Sequence, residues 1–111
     1  MNFNALIDPF GKYYINPSVK LIGYKLEELL GPETDLCPHR DLSLTDYESG
    51  LVLVYNHNKV LILENINSKE EQESSNQYIS DVALGNAFDL FTAFNNREFK
   101  FILNLPWKYQ T

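Results

Sequence analysis

The sequence predicts an α+β domain in which two helices pack on an antiparallel sheet, and three observations lead to this prediction. Residues 51–66 read LVLVYNHNKVLILENI, two apolar runs around a short polar break, which is the pattern of a β-hairpin. Apolar residues recur at helical spacing near 24–30 and near 81–95. The runs between these segments are too short for regular βαβ crossovers, so we expect an antiparallel sheet centred on the 51–66 hairpin.

The hairpin is expected to form the centre of the sheet. Its turn is predicted at Asn56-His57-Asn58, because Asn is among the few residues besides Gly that tolerate a positive φ. Neither run alternates cleanly between apolar and polar residues, so the two strands are predicted to be covered on both faces or nearly so. The tip around His57 is the part of the hairpin that we expect to reach a partner.

The N-terminal third combines loop, edge strand and helix signals. Residues 1–17 are interrupted by an Asp-Pro pair and a glycine, so we expect a loop with a short turn of helix and an edge strand at 13–15. A short helix is predicted at 24–30, where leucines share one face and a Gly-Pro pair provides a stop signal. Residues 19–22 are ambiguous. Ser18 is able to cap a longer helix, but the β-branched and glycine content favours an extended segment.

The middle of the chain contains two polar stretches. Residues 33–50 are acidic and are interpreted as a loop that ends in a strand near 43–47. Residues 67–76, NSKEEQESSN, contain no apolar side chain and are predicted to form an exposed connection.

The C-terminal third is predicted to form a helix and a strand. The helix, near 81–95, carries a stripe of apolar residues at i, i+3 and i+4 spacing, and either Ser80 or Asp81 is able to cap it. Residues 99–105 alternate between large apolar side chains and others, which predicts a strand with one apolar face. Pro106 is expected to end that strand.

Composition favours one acidic domain over residues 1–111. Lys and Arg number 9 and Asp and Glu number 15, which gives a net charge of −6; this balance disfavours direct nucleic-acid binding and favours basic partners. The sequence has no basic leader and no run of about 18 apolar residues, so we expect a cytoplasmic protein with no membrane partner. The single cysteine, Cys37, cannot form an internal disulfide.

No established catalytic or cofactor motif occurs in the sequence, so we predict no enzyme, no catalytic residue, no metal and no cofactor. Cys37, His39 and His57 offer too few ligands at reproducible spacing for a zinc site. Asp41, with the carboxylates that follow it in the same loop, is open to an alternative interpretation as an acid-base pair of a small enzyme. Solvated loop carboxylates are the commoner case.

Two acidic segments are the candidate partner-binding residues. They are predicted to form a negative face that steers a basic protein partner. Their carboxylates are Glu33, Asp35, Asp41, Asp46 and Glu48 in the first segment and Glu70, Glu71 and Glu73 in the second.

Two further segments carry a family resemblance. The first is LIGYKLEELLGP at 21–32, and the second is GLVLVY at 50–55 with the strand that follows it. The residues that match are Leu21, Gly23, Leu26, Glu27, Glu28, Leu29, Gly31, Pro32, Gly50, Leu51, Leu53, Tyr55, Val60 and Leu63. Together they resemble a helix-then-strand pattern of small bacterial immunity proteins from contact-dependent growth inhibition and related polymorphic toxin systems. The likeness covers about half of the chain and concerns scaffold residues, so it transfers no active site.

The resemblance implies a function in toxin neutralisation. Such immunity proteins are small, cytosolic and often acidic, and they bind a toxin domain that is frequently a basic nuclease. The implied mechanism is stoichiometric occlusion of the toxin's active site by an acidic surface of a monomeric immunity protein. Two alternatives from other classes stay open, a small carboxylate-dependent enzyme and a generic interaction module that pairs through an edge strand.

Overall fold

One antiparallel sheet organises the computed structural model, which describes residues 3–66 and 77–109. Within these residues the sheet has seven strands in the order β2-β1-β3-β4-β5-β6-β7. The strands are β1 (Asn4–Ile7), β2 (Tyr13–Ile15), β3 (Asp41–Asp46), β4 (Leu51–Asn56), β5 (Leu61–Asn65), β6 (Gln77–Ile79) and β7 (Lys108–Tyr109). Neighbouring strands all pair antiparallel.

The predicted hairpin is confirmed as the centre of the sheet. β4 is the fourth of the seven strands, and it pairs with β5 in a register that places Leu53 opposite Leu63. The turn differs in detail from the prediction, because Lys59 rather than an Asn adopts the positive φ of 63°. Asn56 supports the turn with its side chain, whose Oδ1 accepts hydrogen bonds from the backbone N–H groups of Asn58 and Val60 at 3.0 and 3.1 Å.

Within the described residues, three helices pack on the sheet and complete the α+β fold. They are α1 (Val19–Leu29), α2 (Leu84–Asn95) and α3 (Phe99–Leu103), and a 3-10 turn at Pro32–Thr34 follows α1. Their apolar residues form one buried core with the sheet. The core residues are Leu6, Ile22, Leu26, Leu29, Leu42, Leu44, Leu51, Leu53, Tyr55, Leu61, Leu63, Val82, Ala87, Phe91, Ala93, Phe94 and Ile102. No helix in the described part of the chain has the length and apolar character needed to cross a membrane.

Helix α1 begins five residues earlier than predicted, so the extended assignment of residues 19–22 was wrong. Ser18 caps the helix, since its Oγ accepts a hydrogen bond of 3.1 Å from the backbone N–H of Leu21. Ile22 is fully buried and lies on the same helical face as Leu26 and Leu29. This i, i+4, i+7 burial explains why the helical alternative prevails over the local β-propensity of the segment.

The N-terminal loop was also a wrong prediction, because residues 4–7 form β1 between β2 and β3. Ala5 and Leu6 are fully buried there, on opposite faces of the strand. The predicted edge strand at 13–15 is confirmed as β2, and the strand predicted near 43–47 is β3 at Asp41–Asp46. The predicted connection at 67–76 lies outside the described residues.

The C-terminal strand predicted at 99–105 is instead the short helix α3. Ile102 is fully buried, whereas Phe101 and Leu103 are about half exposed, so the alternating apolar pattern does not mark one buried face. Helix α2 begins at Leu84, later than predicted. Asp81 adopts a φ of 59°, and the N-cap position is Ala83, which has no side-chain capping bond.

The register of the strands assigns each side chain to one of two faces. Residues directly opposite each other project on the same side, and successive residues alternate. Asn4, Leu6, Leu44, Leu53 and Leu63 therefore lie on the face that the helices cover. Alternate residues project from the opposite face, on which no helix packs within the described residues.

Candidate functional site

Helix α1 presents an aromatic ring among carboxylates. Tyr24, Glu27 and Glu28 stand at i, i+3 and i+4, so they share one side of the helix. Together with Glu33 from the 3-10 turn they line a shallow cavity of about 300 Å³. Tyr24 is 62% exposed, so much of its ring is accessible to solvent. We call these four residues the α1 acidic surface.

An apolar groove adjoins the α1 acidic surface. It has a volume of about 280 Å³ and is formed where α1 meets α2. Glu27 lines both the groove and the acidic cavity, so the two depressions adjoin at this residue. A Cβ atom built on Gly23 would lie 3.1 Å from Cε1 of Phe88, so the glycine lets the Phe88 ring pack closely against α1. The remaining lining residues are Leu26, Leu84 and Gly85.

A buried lysine, Lys25, contacts two carboxylates, one of which belongs to the α1 acidic surface. The Nζ atom of Lys25 lies 3.2 Å from Oδ2 of Asp8 and 3.2 Å from Oε1 of Glu28. It also lies 5.1 Å from the ring centroid of Tyr14 and 5.9 Å from that of Tyr24, within cation-π range. Because Lys25 is shared between a fully buried carboxylate and a partly exposed one, it does not neutralise the whole surface.

The two buried partners keep their charges. Burial alone would lower the pKa of Lys25, but its contacts with Tyr14, Glu28 and Asp8 outweigh burial and raise that pKa above the usual range for lysine. Burial alone would raise the pKa of Asp8, but hydrogen bonds from the backbone of Lys12 and from Lys25 and Tyr14 lower it. The ion pair is therefore fully charged at neutral pH.

Hydrogen bonds hold the 3-10 turn that carries Glu33 against the end of α1. Thr34 is buried, and its Oγ1 donates to the carbonyl oxygen of Leu29 at 2.9 Å. Nε of Arg40 donates to Oγ1 of Thr34 at 3.1 Å, and Nη2 of Arg40 lies 3.4 Å from the carbonyl oxygens of Leu29 and Gly31. These bonds satisfy carbonyls that a helix end leaves without helical partners.

Glu33 is the predicted acidic residue that the structure brings to this surface. Asp35 lies just beyond it and forms an ion pair of 3.3 Å with Nη2 of Arg40. Asp41 begins β3 and pairs in register with Asn56, on the helix-free face. Glu70, Glu71 and Glu73 lie outside the described residues.

Asp46 and Glu48 form a separate ion-pair cluster. Nη1 of Arg97 lies 3.2 Å from Oδ1 of Asp46 and 3.1 Å from Oε2 of Glu48. Asp46 is fully buried and also accepts the backbone N–H of Ser49 at 2.8 Å, so it holds the β3–β4 turn in place. Asp41 and Asp46 project from opposite faces of β3, and this geometry gives no support to an acid-base pair between them.

Cys37, His39 and His57 are the other candidate ligands of the sequence. No group of three or more His, Cys, Asp or Glu residues is placed to hold a metal ion within residues 3–66 and 77–109. His39 and His57 are both exposed, and Cys37 is half-buried.

The sequence analysis named Glu27 and Glu28 only as residues of the family resemblance and did not single out Tyr24. Their i, i+3, i+4 spacing in the sequence places all three on one side of a helix, and this spacing could have identified them as one surface. Glu33 joins them only through the 3-10 turn, which local pattern did not predict.

Comparison of the chain with protein-family models, curated proteins and solved structures returned no match.

Proposed function

We propose that this protein is a cytosolic immunity protein that neutralises a cognate bacterial toxin domain by covering its active site. The observation that carries the proposal is the α1 acidic surface, an exposed tyrosine surrounded by three glutamates. A basic nuclease domain is the class of toxin that this charge fits best, because its substrate site must attract phosphates.

The chemistry of the α1 acidic surface suits arginine and lysine side chains. The three glutamates can accept charge-assisted hydrogen bonds, and the Tyr24 ring can stack under a guanidinium group. The adjoining apolar groove can take an aliphatic or aromatic side chain next to those cations. An apolar centre bordered by charged residues is the usual composition of a protein interface.

The acidity of the chain as a whole adds to this local complementarity. A net charge of −6 speeds the encounter with a basic domain, and the desolvated centre of the contact slows release. The toxin would lose activity because its cationic substrate site is occupied by carboxylates in place of phosphates.

The test begins with the product of the reading frame next to this gene. It would be produced with and without this protein in bacterial cells, and survival and the association rate of the purified pair would be measured. We expect protection by the wild type, and an association rate at least about 10-fold lower for the double charge reversal Glu27→Lys/Glu33→Lys. The matched control is the double charge reversal Asp89→Lys/Glu98→Lys, which makes the same change in net charge at two exposed positions outside the α1 acidic surface and should lower the association rate less.

Two results would overturn the proposal. The first is a failure of the wild-type protein to bind or protect against its neighbour's product. The second is wild-type protection by a folded Glu27→Lys/Glu33→Lys variant, which would exclude the α1 acidic surface as the site. Circular dichroism of each variant verifies that the fold is retained.

A further inference from the structure

Strand β2 forms one edge of the sheet. It comes first in the strand order, so β1 pairs with it on one side only. Two hydrogen bonds close the ends of the β1–β2 ladder. The N–H of Asp8 donates to the carbonyl oxygen of Lys12 at 3.0 Å, and the N–H of Asn16 donates to the carbonyl oxygen of Asn4 at 2.7 Å. We call the other side of β2 the outer edge.

These two bonds show which backbone groups of β2 face the outer edge. Lys12 and Asn16 bond toward β1, and the bonding groups of an antiparallel strand alternate between its two sides, so Tyr14 also bonds toward β1. The N–H and C=O groups of Tyr13 and Ile15 therefore point away from the sheet. Within the described residues, no group bonds to these four. The outer edge thus presents two donors and two acceptors to a partner.

The side chains of the same two residues are exposed. Tyr13 is 63% exposed and Ile15 58% exposed, and both project on the side of the sheet away from the helices. Edge strands are usually protected from strand addition by a charged residue, a proline or a covering segment. β2 reads Tyr-Tyr-Ile and has neither a charge nor a proline, whereas the opposite edge strand β7 carries Lys108.

The distance across the sheet keeps the outer edge apart from the connection between β5 and β6. β5 is four strands from β2, so a position beside the outer edge lies about 24 Å from β5. The connection comprises residues 67–76 and has to return to β6. Ten residues that leave and return extend at most about 20 Å from their ends. This segment is therefore too short to pair with the outer edge.

On the helix side, β2 borders the α1 acidic surface. Nζ of Lys25 lies 5.1 Å from the ring centroid of Tyr14 and 5.9 Å from that of Tyr24, and it lies 3.2 Å from Oε1 of Glu28. Because Lys25 is shared between Glu28 and Asp8, this group of charges is negative as a whole. A strand added at the outer edge would project alternate side chains toward these carboxylates.

From these observations we propose that the outer edge binds an extended segment of the basic partner as an additional antiparallel strand. Its apolar residues lie opposite Tyr13 and Ile15, and the basic residues between them project toward Glu28. In recognition of this kind, main-chain hydrogen bonds give affinity and alternate side chains give specificity. The inference rests on the proposed function for the identity of the partner. A second copy of this chain is disfavoured as the occupant, because each copy carries a net charge of −6.

The probe is a synthetic peptide of about seven residues with blocked ends, in which Val alternates with Lys and Arg. We expect it to bind the wild-type protein with a dissociation constant below about 1 mM, measured by NMR titration. Residues opposite Tyr13 and Ile15 in an antiparallel pair are the ones that bond to them, so N-methylation of the valines should raise this constant at least about 10-fold. N-methylation of the basic residues is the matched control. It keeps the same charge, removes only N–H groups that face away from β2, and should leave the constant unchanged.

Ile15→Pro tests the outer edge from the side of the protein. Proline is tolerated in an edge strand where the N–H faces solvent, but it removes one donor and obstructs an added strand. Ile15→Ala is the control, because it removes side-chain contacts and keeps the N–H. The dissociation constant of the unmodified peptide should be at least about 10-fold higher for Ile15→Pro than for Ile15→Ala. Circular dichroism verifies folding, and the methylated peptides still decide the question if Ile15→Pro does not fold.

Four results would overturn the inference. They are no binding of the unmodified peptide at about 1 mM, equal binding of the two methylated peptides, equal binding by folded Ile15→Pro and Ile15→Ala, and a dimer of the free protein in sedimentation velocity that Ile15→Pro dissociates. None of these measurements uses a toxin. A failure of the wild-type protein to bind its neighbour's product would overturn the proposed function alone.

Discussion

Lys25→Met is expected to lower the stability of the fold substantially. It removes the ammonium group that lies 3.2 Å from Oδ2 of Asp8, whose side chain is fully buried. Breaking a buried ion pair by removing one partner costs about 3–5 kcal/mol, because the other charge is left without its counter-charge. Asp8 retains hydrogen bonds from the backbone N–H groups of Phe10 and Lys12 and from the hydroxyl of Tyr14. These bonds reduce the expected loss in the free energy of unfolding to about 2–4 kcal/mol.

The pH dependence of this loss identifies Asp8 as its source. The folded-state pKa of Asp8 is lower than its unfolded value of 3.8, so the ionised carboxylate stabilises the fold above that pH. That stabilisation is lost as the pH falls through the folded pKa. The effect of Lys25→Met should therefore be full at neutral pH and become smaller as the pH falls below 3.8 and through the lower folded-state pKa of Asp8, below which the carboxyl is neutral with or without the lysine.

Urea unfolding followed by circular dichroism measures these free energies. The double variant Asp8→Asn/Lys25→Met should be less destabilised than the sum of its single changes, since the partners interact directly. Lys20→Met, an exposed lysine on the same helix, is the control and should change stability by less than about 0.5 kcal/mol. A loss below about 0.5 kcal/mol for Lys25→Met at neutral pH, or strict additivity in the double variant, would refute the reasoning.

Two smaller effects follow from single hydrogen bonds. Ser18→Ala should lower the free energy of unfolding by about 1 kcal/mol, because it removes the side chain that caps α1. Ser18→Gly should lower it by only a few tenths of a kcal/mol. Urea unfolding measures both losses, and equal losses would show that the side chain does not act as a cap. Tyr55→Phe should cost about 1–2 kcal/mol, because the Tyr55 hydroxyl donates a 2.6 Å bond to the Val82 carbonyl inside the core. Burial raises the pKa of Tyr55 above its unfolded value of 10.0. The neutral hydroxyl therefore contributes its full stabilisation below pH 10.0, and this contribution is lost as the pH rises through the folded-state pKa. Ultraviolet titration that showed Tyr55 ionising at its ordinary pKa would contradict this.

The parts of the fold that the sequence predicted are those with a strong local pattern. The 51–66 hairpin has two long apolar runs and a turn, and the apolar stripe of α2 repeats through three turns of helix. Both were confirmed because local preference and tertiary packing agree there. β1 and α3 were missed because each is only four or five residues long, and its burial depends on neighbours distant in sequence.

The candidate site was predictable only in part, for a related reason. Glu33 was identified from acidity alone, but acidity does not distinguish a carboxylate on a surface from one inside an ion pair. Asp46 was grouped with Glu33 for this reason, although it pairs with Arg97, a residue 51 positions away in sequence. Tyr24 shares a helix side with Glu27, and an explicit helical projection of residues 19–29 would have revealed this.

The hydrogen bonds that Thr34 and Arg40 make to the end of α1 have a consequence for recognition. They fix the backbone beside Glu33 relative to the helix that carries Glu27, so the separation of the two backbone positions that carry these glutamates is set before any partner binds. Gly31 leaves room for the Glu33 side chain, since a Cβ atom there would lie 2.6 Å from its Oε2. A turn that is already ordered avoids the part of the binding cost that comes from ordering a loop at the interface. Affinity at this surface would then depend on the rigidity of a turn that is held by the buried Thr34 and the partly buried Arg40, two residues that need not contact the partner.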